Sequence, residues 1–188
     1  GAIFNTGLIL AKGFNLNSNR ADLVNGDGGV IQVAQFFNVD NHALLVNCGN
    51  IEVGNNLEIN SGSWLVNNSR IIVQQVTHNN AVFENHCFFV SGVSGTADGF
   101  SHQGNRTLLA DGSVLVTRNF YWSPNGPLEI EGNALVMVAQ SVFDGQGKIS
   151  ALNGPSSLRI NGGARLTGQG HLIISDMNPM QQGDNPQN

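Results

Sequence analysis

The hydrophobic positions of this chain fall into short alternating runs that return at a near-constant interval. Triplets of the form apolar–x–Asn (Ile3-Phe4-Asn5, Leu23-Val24-Asn25, Leu45-Val46-Asn47, Leu65-Val66-Asn67, with Phe83-Glu84-Asn85 as the fifth) recur at spacings of 20, 22, 20 and 18 residues. After a short turn each is followed by a second apolar run: Leu8-Ile9-Leu10, Val30-Ile31-Gln32-Val33, Ile51-Glu52-Val53, Ile71-Ile72-Val73 and Phe88-Phe89-Val90. An alternating pair comes next, Phe14 with Leu16, Phe37 with Val39, Leu57 with Ile59. A small residue (Ala21, Ala43, Ser63, Ala81) then stands two positions before the next triplet. Alternation with period two is the signature of a strand with one buried face. Gly and Asn interrupt every run before a helical period develops, so the chain reads as all-β.

A repeat of roughly 20–23 residues is too short for a propeller blade or a helical repeat. It fits one coil of a β-solenoid, in which successive coils pair at about 4.8 Å. One coil cannot bury its apolar side alone. The predicted domain is therefore a stack of about 8 coils over residues 1–175, roughly 35–40 Å long at that spacing. In the second half, Leu158 to Leu166 aligns with Leu57 to Leu65, and Leu128-Glu129-Ile130 through Leu135-Val136 is placed on the same template. Residues 91–108 and 117–127 read as loop excursions, and 176–188 as a polar tail or linker.

Asn at the end of each triplet suits a tight corner, because it tolerates left-handed backbone and bonds locally. Stacked coil on coil, Asn5, Asn25, Asn47, Asn67 and Asn85 are predicted to form an amide ladder. Asp111, Asp144 and Gly168 are read as their successors, where the ladder stops. The pattern Leu-x-Asn-x-Gly-x-Ile-x-Val…Leu-x-Ile, seen from Leu45 to Ile59, resembles the repeats of filamentous-haemagglutinin-type adhesins. It is also similar to repeats in large surface proteins of Bacteroidota. The resemblance runs through residues 3–90 and more loosely through 109–175. It implies a single-stranded right-handed parallel β-helix, bacterial and exported to the cell exterior.

Composition narrows the function classes. Charged residues make up 11% of the chain, against about 25% in an average soluble protein, and 26 Asn take up much of the difference. An apolar content of 40% argues against disorder. Eight scattered Lys and Arg form no basic stripe, so no nucleic-acid partner is expected. No apolar run approaches the ~20 residues that span a bilayer, so membrane insertion is not expected either. A start at Gly1-Ala2 is read as a processed chain, a recombinant fragment or a segment of something longer. Cys48 and Cys87 lie two coils apart, about 9.6 Å, beyond the ~7 Å limit for a disulfide. Both are expected as free thiols packed like small hydrophobes.

Candidate chemistry is sparse. Glu129 and Glu131 stand two apart, sharing a strand face opposite Leu128 and Ile130. Such a pair suits cation binding or acid–base work, although a solvated face is its more ordinary meaning. His42, His78, His86, His102 and His171 scatter over different coils, and His86-Cys87 alone falls short of a zinc ligand set. No metal, cofactor or catalytic residue is expected. Six Thr without a Thr-x-Thr array argue against ice binding, and Gly26-Asp27-Gly28-Gly29 does not complete a calcium-binding repeat. Phe120-Tyr121-Trp122, flanked by Asn119 and by Pro124 to Pro127, offers aromatic rings for sugars or a protein partner. The plainer reading turns Phe120 and Trp122 inward. Tyr121, Trp122, Glu129 and Glu131 are thus the candidate ligand residues. Asn67-Asn68-Ser69 and Asn105-Arg106-Thr107 match the glycosylation pattern, a chance match in an Asn-rich chain.

The expected function is a non-catalytic structural or adhesive segment of a secreted or cell-surface protein. Its expected partners are further coils of the same longer chain or like subunits stacked end to end, with glycans or host-surface proteins as further candidates. Two alternatives stand beside it: an end-to-end extracellular filament subunit, and a carbohydrate-binding or carbohydrate-cleaving β-helix.

Overall fold

The computed structural model describes residues 1–19, 21–92, 99–103, 105–117, 119–122, 128–131, 134–139, 141–143, 149–151, 157–160, 166–168 and 171–175. Side chains are described through Thr117, except at 77–79 and 101–103, and beyond it at Glu129, Glu131, Ala134 and Leu135. Among these residues every regular element is a strand. None is a helix long and apolar enough to cross a membrane.

The chain winds as a parallel β-solenoid, coil upon coil. The first four coils each hold a short strand and a long one: β1 (Ala2–Asn5) with β2 (Leu8–Asn17), β3 (Asp22–Asn25) with β4 (Val30–Asp40), β5 (Leu44–Asn47) with β6 (Asn50–Asn60), and β7 (Trp64–Asn67) with β8 (Arg70–Asn79). In the fifth coil, β9 (Val82–Asn85) precedes β10 (Phe88–Ser91) and β11 (Phe100–Gln103), which pair separately with the two halves of β8. The sixth repeats this with β12 (Arg106–Leu109), β13 (Val114–Thr117) and β14 (Asn119–Trp122). Above lie β15 (Leu128–Ile130), β16 (Leu135–Ala139), an antiparallel hairpin of β17 (Ser141–Phe143) and β18 (Ile149–Ala151), then β19 (Ser157–Ile160), β20 (Leu166–Gly168) and β21 (His171–Ser175). The triplets thus become one sheet of eight strands, β1-β3-β5-β7-β9-β12-β15-β20.

Each coil has three faces, and each face points one or two side chains at the centre; in the long strands Val33, Val53 and Val73 follow the first inward residue on the second face, and Leu16, Val39 and Ile59 on the third. The triplet column is Ile3, Leu23, Leu45, Leu65, Phe83. The second is Ile9, Ile31, Ile51, Ile71, Phe89, and the third Phe14, Phe37, Leu57, Val76, Phe100. From the second coil upward these residues are almost wholly buried, which is why the same residue class must return at every turn. In the fifth coil all three are Phe. Their rings meet at 5.0 Å (Phe83–Phe89), 5.3 Å (Phe83–Phe100) and 5.9 Å (Phe89–Phe100), tilted or edge-on as aromatic quadrupoles prefer.

Three corners join the faces. The first follows the triplet Asn. The third, before the next triplet, uses left-handed residues: Asn41 and His42 at φ 54° and 61°, Ser61 and Gly62 at 51° and 75°, Asn80 at 50°. The small residues beyond it, Ala43, Ser63 and Ala81, are buried, and Ser63 Oγ accepts the Ala43 N–H at 3.2 Å. The second corner interrupts the long strands and varies in length. It is Lys12-Gly13, then Ala34-Gln35-Phe36, Gly54-Asn55-Asn56 and Gln74-Gln75, and in the fifth coil β10 ends at Ser91 and β11 begins at Phe100.

Two expectations shift here. The stretch 91–108 is less of an excursion than its composition suggests, since Phe100–Gln103 and Arg106–Leu109 are strands in register with the stack. Within 117–127, Asn119–Trp122 also pairs with its neighbours as β14. Leu128–Ile130 belongs to the triplet face, opposite Thr107 to Leu109, and not to the Leu57–Ile59 face. The segment 176–188 lies outside the described residues.

Candidate functional site

The Asn corner carries a continuous hydrogen-bonded column of buried side chains. Asn5 Nδ2 donates to Asn25 Oδ1, Asn25 to Asn47, Asn47 to Asn67 and Asn67 to Asn85, each at 2.8 Å. The chain turns out of the sheet within two residues of most of these Asn, and the turn supplies the remaining partners. Gly7, Gly49 and Ser69 donate their N–H to the Oδ1 two residues back at 3.2–3.3 Å. Each Nδ2 also reaches a carbonyl of the coil above: Val30 from Asn5, Asn50 from Asn25, Arg70 from Asn47, Phe88 from Asn67, Val114 from Asn85. A buried carboxamide is tolerated only when it is bonded in this way. All five amides point in one direction, Nδ2 toward the C-terminal coil, so their dipoles reinforce one another.

Above Asn85 the ladder position passes to Leu109, then Ile130, then Gly168. Asp111 is therefore not a successor: it sits in the exposed turn after β12. Asp144 lies outside the described residues. Asn67, wholly buried in the ladder, cannot take a glycan in the folded chain.

A groove of about 830 Å³ runs along the outer side of the second face, across β2, β4, β6 and β8. One wall carries the column Leu10, Gln32, Glu52, Ile72, and the other Lys12, Ala34, Gly54, Gln74. Gln32 Nε2 donates to Glu52 Oε2 at 3.3 Å, and Arg70 Nη1 pairs with Glu52 Oε1 at 3.3 Å. The volume falls within the small-molecule range. Beside the groove, the exposed Phe36 ring lies over Gly13, where a Cβ would come within 2.4 Å of it.

The outer triplet face changes character along the rod. In the lower coils it is largely apolar, with Phe4, Val24, Val46 and Val66 in one column and Ala2, Asp22, Leu44, Trp64 and Val82 in the next, where Asp22 is the one charged residue. At the fifth coil these columns turn to charge. Arg106 donates to Glu84 Oε1 at 3.1 Å, and to Glu129 Oε2 at 3.0 and 2.7 Å. His86 Nε2 stands 3.5 Å from Glu84 Oε2. The hydrogen bond that Arg106 donates to Glu129 raises the Arg106 pKa above its ordinary value; partial desolvation opposes this, and the charges of Glu129, Glu84 and Glu131 add to it.

The sequence-derived candidates therefore separate. Glu129 is half-buried and bound to Arg106, while Glu131 is exposed beyond β15, its N–H on the Leu109 carbonyl at 2.9 Å. Tyr121 and Trp122 stand on β14 opposite Ser101 and His102; their side chains lie outside the described ones. Among the described residues no three His, Cys, Asp or Glu gather as a metal set. Cys48 and Cys87 are free thiols, but Cys87 is exposed, not packed as a small hydrophobe, because it lies at the outward tip of the Asn85 corner. Arg106 and the groove residues escape sequence reading. Their signal is columnar: Arg106 emerges only once β12 is recognised as a strand, and the groove residues only once β2, β4, β6 and β8 are stacked in register.

No family model, curated protein or solved structure matches this chain. Its functional reading rests on geometry.

Proposed function

We propose that this chain is a non-catalytic structural segment of a secreted or cell-surface protein: a solenoid rod, in keeping with the repeat resemblance to filamentous-haemagglutinin-type adhesins. The observation that carries the proposal is the unbroken ladder from Asn5 to Asn85. One side chain per coil is spent on joining that coil to the next, and so are the inward columns of all three faces. The sequence is thus invested in axial continuity, as a stalk or spacer requires. In this reading further coils, of the same chain or of like subunits, extend the stack. Negative-stain electron microscopy over a concentration series tests it. Short separate rods support a segment of a stalk, long unbranched fibres support a filament subunit, and compact particles with no long axis overturn both.

A second reading, glycan binding, is favoured by the groove at Gln32, Glu52 and Gln74, whose amides and carboxylate suit sugar hydroxyls over an apolar floor. A glycan array decides it. Retention of a glycan that Gln32→Ala together with Glu52→Ala abolishes supports this reading, and an array with no hits rejects it.

A further inference from the structure

We infer that Asn25-Gly26 is a latent modification site: the coil carrying Asn5 keeps the pair dormant, and once that coil lifts, the pair converts itself to aspartate or isoaspartate and bars the coil from docking again. The inference goes beyond the rod reading and does not depend on it. It begins in the sequence. Of the ladder residues, Asn5, Asn47, Asn67 and Asn85 are followed by Thr6, Cys48, Asn68 and His86, and only Asn25 is followed by glycine. A glycine after Asn leaves its amide nitrogen sterically free to reach the side-chain carbonyl carbon. Packing accounts for the glycine, because a Cβ at position 26 would come within 3.0 Å of Phe4 Cζ and 3.4 Å of the Asn5 carbonyl oxygen.

The chemistry consumes only water and a base. Gly26 N, deprotonated by hydroxide, attacks Asn25 Cγ; the N–Cγ bond forms, the Cγ–Nδ2 bond breaks, and Nδ2 leaves as ammonia. Water then opens the succinimide. Attack at Cγ gives Asp at position 25, and attack at the backbone carbonyl gives isoaspartate. In the stack the atoms of the first step are held. Gly26 N–H donates to the Asn5 carbonyl at 2.8 Å, which keeps the nitrogen aimed at the coil below and away from Cγ. Asn5 Nδ2 occupies Asn25 Oδ1 at 2.8 Å. The departing nitrogen donates to Asn47 Oδ1 at 2.8 Å and to the Gly29 and Asn50 carbonyls at 3.2 Å. The carboxamide is wholly buried and has no room to swing: a Cβ on Gly29 would lie 2.4 Å from its Oδ1, and one on Gly49 2.8 Å from its Nδ2. Two of these restraints, on Gly26 N and on Asn25 Oδ1, come from the coil carrying Asn5. Lifting that coil frees the nucleophile and admits water.

The product does not fit the place it leaves. A carboxylate at position 25 has no hydrogen to give, yet Asn47 Oδ1, Gly29 O and Asn50 O, all acceptors, face the former amide. A buried charge set against acceptors is strongly unfavourable. Isoaspartate instead adds a methylene to the main chain before Gly26, which carries the Gly26 N–H off the Asn5 carbonyl. Chemical change in an opened segment removes it from the folding equilibrium, so the opening becomes one-way. The pair thus turns a lasting separation of these two coils into a covalent mark.

The test incubates the full chain in mildly alkaline buffer and follows conversion at position 25 by peptide mass spectrometry, with isoaspartate resolved by chromatography. The folded chain, the same chain in urea and the folded Asn5→Leu variant are compared. Conversion in the folded chain should be slower than in urea by about a hundred-fold, the scale of a local opening. Asn5→Leu should raise the folded rate about five-fold, through loss of the bond to Asn25 Oδ1, and leave the urea rate unchanged. Phe14→Ala loosens the same coil at another face, where Phe14 packs on Phe37 at 5.0 Å, and should act in the same direction. Hydrogen exchange in β5 to β8 checks that each variant stays folded. Equal rates in the folded and urea-unfolded chain overturn the inference, and so does a folded rate that neither variant changes. The barring step is read on Asn25→Asp, in which the Gly26 amide should exchange as an open amide while β7 and β8 stay protected. Protection retained at Gly26 in that variant overturns the one-way opening.

Discussion

At the scale of single residues, what matters is whether a position is repeated above and below. Asn47 has ladder neighbours on both sides and further bonds to Gly49 N–H and Arg70 O. Asn47→Leu removes all of these from a buried site, and we expect a loss of about 3 kcal/mol in urea denaturation. Asn5→Leu, in the first coil, should cost about 1 kcal/mol by the same measure, because it breaks one ladder bond instead of two at a less deeply buried site. Equal losses would show that the amides act singly and not as a chain. Glycine obeys the same logic. A Cβ on Gly49 would lie 2.2 Å from the Gly29 carbonyl oxygen and 2.8 Å from Asn25 Nδ2. Backbone cannot yield there, so Gly49→Ala should cost about 4 kcal/mol or more. Gly28 has open space around it but a φ of +74°, so Gly28→Ala should cost only about 1 kcal/mol.

At the scale of the element, each strand contributes one or two inward residues per face, and the contributions are unequal. Phe83→Ala opens a hole beneath two other rings and should cost about 3–5 kcal/mol. Arg106→Gln loses pairs whose side chains are 16–39% exposed. It should change stability by about 1 kcal/mol or less, and that difference should shrink as salt rises. The same scale explains what the sequence could reveal. Strands β1 to β9 are legible because each triplet ends in Asn, and the Asn sets the phase of the coil. Past Asn85 that marker is gone. Leu128-Glu129-Ile130 has the same alternation as Leu57-Glu58-Ile59, and alternation alone does not tell which of three faces a strand occupies. The register then slips, Asp111 is taken for a ladder position, and Arg106 is left in a presumed loop. The groove was hidden for a related reason: Gln32, Glu52 and Gln74 become neighbours only when coils stack.

At the scale of the whole molecule, every described pairing within the stack joins a coil to the next, so stability is close to a sum of coil and interface contributions. The middle of the stack has two neighbours per coil and its lower edge has one. Native-state hydrogen exchange should therefore grade along the axis, slowest in β5 to β7 and fastest in β1 and β2. A uniform profile would mean that the rod opens as one unit. The second corner adds something that the regular columns do not. There the same two faces follow one another after Lys12-Gly13, after Ala34-Gln35-Phe36, or with Ser91 and Phe100 nine positions apart in sequence, and Phe89 and Phe100 still meet at 5.9 Å. The fold has thus already tried different loop lengths at that point without losing phase. A foreign peptide spliced between Ser91 and Phe100 should be carried on the side of the rod at a fixed height, which makes this corner a natural port for grafting.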